Sequence, residues 1–152
     1  MARKRPTVPS FQEAVVPFAQ ANLSLGDYLQ LNREVLAAYD YTCAATQARF
    51  NAETAVSANL VVIPIHPVET GGALVRNNLL PLVPAAAQAF RDGDFTIGVD
   101  FELVVDLSRV DPQLLRMFHH SGKLLVPKDR QFVPDAESLY HHRHLIYPAI
   151  GA

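Results

Sequence analysis

Apolar and polar positions change their spacing along the chain, and each change marks a different element. Residues 24–58, "SLGDYLQLNREVLAAYDYTCAATQARFNAETAVSA", contain no proline and one glycine, Gly26. Within them Leu29, Asn32, Leu36, Tyr39, Cys43, Thr46, Phe50 and Glu53 fall along a heptad-like seam, and Leu25, Tyr28, Val35, Tyr39 and Thr42 form an overlapping row. This spacing predicts a helix contacted on two sides. Ser24 is placed to cap it, Asp27 completes an imperfect capping box, and Leu23 with Tyr28 sits where a hydrophobic staple would be. The interior is rich in the helix formers Ala, Leu, Gln, Arg and Glu. At about 1.5 Å per residue the helix would run roughly 50 Å. A compact domain of this length has a radius of gyration near 15 Å by the usual scaling, so that helix would run past its own domain unless it breaks near Thr42. The expectation is a long helix covered in part by other chains.

The segment "LGDYLQLNREVLAAYDYTCAATQARFNAE" resembles the last long coiled-coil helix of TolC-type outer-membrane efflux proteins over about a fifth of the chain. The rest of the chain has neither the barrel strands nor the second helical hairpin of such a protein, so no role is carried over.

A different period governs residues 94–108, "DFTIGVDFELVVDLS". There Phe95, Ile97, Val99, Phe101, Leu103, Val105 and Leu107 alternate with mostly polar residues. Period two predicts one long strand with a buried and a wet face. Residues 59–65, "NLVVIPI", read as another strand, with Pro64 and Pro67 confining it to an edge or ending its pairing. "GGALV" and "KLLVP" are further candidate strands. Pro84 at a first turn and Gly93 beyond the end predict a short helix. Asp111, Pro112 and Gly122 frame another. Asp135 and Pro148 bracket a last helix. The predicted fold class is α+β: a long N-terminal helix at about 24–58, then a small, mostly antiparallel sheet with short helices. Residues 1–23 form a proline-punctuated arm with a short helix from Ser10 bent at Pro17, and residues 59–152 an α+β region ending in a proline-bounded arm.

Charge narrows the function classes. Thirteen Lys and Arg against fifteen Asp and Glu leave a net charge of −2, so no global basic field draws the chain to nucleic acid. The Arg3-Lys4-Arg5 arm is the one exception. Charged residues make up 18%, below the usual quarter, which hints that partner chains cover some surface. The single cysteine, Cys43, excludes an internal disulfide and fits a reducing compartment. It lies in an Ala/Thr-rich run where a buried thiol is the default. Neither a signal peptide nor an apolar run near 20 residues is seen, so the expected location is cytoplasmic or within a particle.

Histidine supplies the only candidate cluster for chemistry. His119 and His120 end one predicted helix. His141, His142 and His144 lie on the last, with His141 and His144 sharing a face and Glu137 one turn earlier. His119, His120, His141 and His144 are candidate ligands for Zn, Ni or Cu, although their spacing matches no standard metal signature. Histidines near helix C-termini are more often surface or interface groups, and a crowded set would make an interface pH-sensitive. Gly71-Gly72 lacks the lysine and hydroxyl of a phosphate loop and reads as a turn. Asp100, Glu102 and Asp106 read as a solvated strand face.

Both ends of the chain are apolar and proline-rich. With the helix, they nominate Phe11, Phe18, Leu29, Leu36, Tyr39, Phe50, Leu145, Ile146 and Tyr147 as interface residues. The expected function is a non-enzymatic structural or assembly subunit that self-associates or joins the other subunits of a shell, virion or larger complex. No cofactor is expected. The alternatives are a histidine-dependent metal-binding protein or small enzyme, and a module for an apolar small ligand.

Overall fold

The computed structural model describes residues 23–55 and 59–148. Helix α1, Leu25–Ala38, starts as its sequence dictates: Ser24 is the N-cap, and its hydroxyl accepts from the Asp27 N–H. Leu23 and Tyr28 both pack on the core. The long helix, however, does not form. α1 has 14 residues and ends in a Schellman motif. Asp40 N–H bonds Ala37 O at 3.0 Å and Tyr41 N–H bonds Leu36 O at 2.8 Å, the paired closure expected when the residue after the cap turns left-handed. That residue is Asp40, with φ 52°, and Tyr41 follows at φ 55°. Glycine usually holds this place, and its absence from residues 27–58 is why the pattern read as uninterrupted helix. The chain then doubles back: Thr42 bridges Arg49, Cys43 N–H bonds Ala48 O, and Phe50 N–H bonds Tyr41 O. A helical turn, Ala52–Thr54, follows.

The predicted sheet is two separate two-stranded antiparallel sheets. β1, Val61–Pro64, pairs with β2, Leu79–Leu82. All of β2 is buried, Pro81 included. Pro81 lacks an N–H, but its carbonyl takes the Ala44 N–H of the doubled-back loop, so its place at that edge leaves no ladder donor wanting. Helix α2, Pro84–Arg91, carries Pro at its start as predicted and lays Ala86, Ala87, Ala89 and Phe90 into the core. α1 and α2 both contact β1 and β2.

The alternating run 94–108 is not one strand but a hairpin, β3 Phe95–Ile97 and β4 Leu103–Val105. Gly98 to Phe101 make the turn, closed by Phe101 N–H to Gly98 O, with Phe101 left-handed at φ 62°. The register explains why the alternation hid it. Phe95 faces Val105 and Ile97 faces Leu103, so odd positions meet odd positions and stay on one side through the turn. Asp100 lies in the turn and Asp106 beyond β4, so the acidic residues do not line one strand face. Of the other candidate strands, Lys123 makes only an isolated bridge to Glu102, and "GGALV" forms none. Helix α3, Pro112–Met117, is capped by Asp111 and ends before His119. Helix α4, Ala136–His141, is capped by Asp135 and runs on as a π-helical turn, His142–Ile146. The class is α+β.

Candidate functional site

The loop from β1 to β2 is held by a set of backbone and side-chain hydrogen bonds. Asn78, 2% exposed, is its clamp. Its side-chain oxygen accepts from His66 N–H at 2.9 Å, and its amide donates to His66 O at 2.9 Å and Ala73 O at 2.8 Å. Asn78 O accepts from Ile65 N–H. Gly71-Gly72 is a turn, as predicted: Gly71 has φ 106°, and a Cβ on Gly72 would lie 1.8 Å from His66 O. The loop presents one imidazole, His66, whose Nε2–H is placed to donate to Thr70 O at 2.9 Å.

His66 stacks on His141 of α4, with ring centroids 3.6 Å apart and planes at 14°. Ala136, Glu137 and Tyr140 line the same cleft. His141 Nδ1 is buried without a partner. Burial, and then the neighbouring His66, hold the His141 pKa below the ordinary histidine value. Near-parallel rings cannot chelate one ion, because an ion about 2 Å from each nitrogen must lie close to both ring planes.

The next residue turns inward. His142, 1% exposed, stacks on Phe90 at 3.6 Å. Thr96 Oγ1 lies 2.7 Å from its Nδ1, and its Nε2 lies 2.8 Å from Phe90 O. A carbonyl only accepts, so Nε2 carries the hydrogen and Nδ1 accepts from Thr96. Burial pushes its pKa down to about 4, the bond to Phe90 opposing the shift and the charge on His141 adding to it. A hydroxyl bonded to a histidine that a third group orients is the arrangement of an activated nucleophile. Thr96 is 2% exposed and packed in β3, so the pair serves as a cross-tie between α2, β3 and the C-terminal segment. Above it lies a cavity of about 440 Å³ lined by Pro64, Ile65, Pro67, Val68, Glu69, Phe90, Arg91, His142 and Ile146.

The remaining candidate ligands lie elsewhere. His119 and His120 touch each other, with centroids 4.2 Å apart, and His144 packs on Tyr140. Among the described residues no three His, Cys, Asp or Glu side chains are grouped to hold a metal ion. Of the interface candidates, Leu36 and Tyr39 are core residues, Phe50 packs on the core, Leu29 and Leu145 are exposed, and Ile146 and Tyr147 are half-buried. Phe11 and Phe18 lie outside the described residues, as does the short helix predicted from Ser10. Cys43 is fully buried and its Sγ accepts from Thr46 and Val83 N–H. No described helix is long and apolar enough to cross a membrane.

No protein-family model matches the sequence, and no curated protein matches it. A solved structure, "Modification dependent TagI restriction endonuclease", aligns with TM-score 0.52 and 20% identity. The match covers 72% of this chain and 35% of that one, so this chain spans about a third of the endonuclease's length. At this identity the relation is one of fold.

His66 and Asn78 escaped the sequence reading. Their partners lie far along the chain, and the available signal was a proline-bounded histidine, "PIHP", followed by a double glycine and "NN".

Proposed function

We propose that the chain is a non-enzymatic interaction subunit, built on a fold it shares with part of a modification-dependent restriction endonuclease, that works within a larger assembly. The observation that carries this reading is the scattered donor set. The likeness to about a third of that endonuclease extends over most of this chain, and the histidines and carboxylates of the described residues form no group of three suited to a metal ion. Charge points the same way. Arg49, Arg76 and Arg109 are engaged by Asp40, Glu34 and Asp94, which weakens any phosphate-binding field. Val99, Leu107, Tyr140 and Leu145 are more than half exposed and are the positions at which the reading places contact with other chains.

Two measurements on one preparation test it. Light scattering behind size-exclusion chromatography should give a stoichiometric oligomer or, with candidate partners, a defined complex. Incubation with duplex DNA, modified and unmodified, in Mg²⁺ or Mn²⁺ should leave the DNA intact. Metal-dependent cleavage that purifies with the chain would overturn the reading.

A second reading, an apolar small-ligand module, is favoured by the 440 Å³ cavity, which is in the size range of small-molecule sites. A ligand copurifying with a monomer would support it.

A further inference from the structure

We propose that His66, His141 and His142 form an acid-operated latch that holds the C-terminal helical segment, residues 136–148, against the β1–β2–α2 unit. The surroundings of His141 and His142 suit a neutral ring. His66 and His141 lie face to face at 3.6 Å, where two imidazolium ions would repel at close range. His141 Nδ1 is buried with no acceptor in reach, so a proton there would be desolvated and unpaired. His142 Nδ1 already accepts from Thr96, and its protonation would require that hydroxyl to reverse.

The charged groups around the cluster do not offset this. On the β1–β2 loop Glu69 is exposed, and on α4 Glu137 is exposed, so water screens both. On α2 the neighbour is Arg91, and on the segment itself Arg143 and His144 follow, all cationic or neutral. β3 contributes Phe95, Thr96 and Ile97, none of them charged.

The segment has a fixed end about which to swing. Asp135 N–H bonds Asn77 O, and the Asp135 side chain caps Ser138. Neither bond involves a histidine. Beyond the cluster Arg143 donates to Ile97 O. Release would uncover Ile65, Phe90 and the cavity that Ile146 helps to line, a fresh apolar surface available only in acid.

The test is hydrogen–deuterium exchange with mass spectrometry on the full chain at pH 7.5 and 5.0, corrected for intrinsic rates, with α1 as internal reference. Protection of residues 136–148 relative to α1 should fall by about tenfold or more at pH 5.0. A His66→Phe, His141→Phe double variant keeps two stacked rings that cannot charge and leaves only His142 to respond, so its fall should be at least about threefold smaller than the parent's by the same linkage. The latch is overturned if α1 and the segment lose protection together, if neither does, or if the double variant behaves as the parent. Should that variant not fold, ring-proton NMR of the parent decides. The His141 titration must coincide with amide shifts across 136–148, and separate midpoints would overturn the proposal.

Discussion

Replacing Asn78 with alanine isolates the element on which the β1–β2 loop depends. The side chain makes three hydrogen bonds, one accepted and two donated, all to backbone groups of the loop. Alanine removes the partner and leaves the His66 N–H and the His66 and Ala73 carbonyls to find water. A lost intramolecular bond costs about 1 kcal/mol net, and a buried group left unsatisfied about 1–3 kcal/mol. His66 is half-buried and Ala73 exposed, so water recovers part of the loss. The expected cost is about 3 kcal/mol. For a domain of this size 1 kcal/mol corresponds to roughly 2–4 °C, so Tm should fall by about 6–12 °C. Urea unfolding at pH 7.5 should show a lower midpoint with an unchanged slope. Asn78→Asp should be at least as damaging, because it loses both donors and sets a carboxylate against two carbonyl oxygens. The reasoning fails if Asn78→Ala costs less than about 1 kcal/mol, the range of an ordinary surface change, or if Asp is tolerated better than Ala.

Two glycines should separate by what their Cβ would meet. At Gly72 the obstacle is the His66 backbone carbonyl at 1.8 Å, so Gly72→Ala should cost about 3 kcal/mol or more. At Gly98 it is the far end of the Glu102 side chain at 2.2 Å, which can swing aside by giving up its bond from Asp100 N–H, and Gly98→Ala should cost less than half as much by thermal melts; equal effects would refute the distinction. The third prediction concerns pH. His142 is neutral in the fold, its pKa pushed down to about 4 from an unfolded value near 6.5. Its contribution is therefore complete above pH 6.5, declines as pH falls below that, and is gone once pH has passed through about 4. A difference of that size is worth about 3 kcal/mol. Urea midpoints at pH 7.5, 5.5 and 4.0 in the parent and in Thr96→Val read it, and a parent whose stability is flat from 7.5 to 4.0 would contradict it.

The sequence disclosed starts better than ends. Ser24, Asp111 and Asp135 cap the helices that follow them, and Pro84 opens α2, because caps are local chemistry between neighbours. The end of α1 was illegible for the same reason inverted. Asp40 and Tyr41 adopt left-handed backbone without the glycine that would announce it, and the contacts favouring the turn come from elsewhere, as when Ala44 N–H reaches Pro81 O. The candidate site shows the limit most plainly. His141 was singled out for its spacing to His144, but it stacks on a residue 75 positions earlier, His66. Tyr39 sat on the predicted outer seam, yet it is buried and its hydroxyl reaches Phe132 O. Helical periodicity identifies which side of a helix is apolar, and leaves open whether the chain itself covers that side.

The even register of the β3–β4 hairpin has a consequence for how this chain can change over generations. Phe95 with Val105 and Ile97 with Leu103 share a face only while the turn between them keeps its parity. A single-codon insertion or deletion in that turn rotates every later side chain of β4 to the opposite face, whereas a change of two codons preserves the facing. Length variation among descendants should therefore come in steps of two at Gly98–Phe101, and odd steps should survive only beside a compensating bulge.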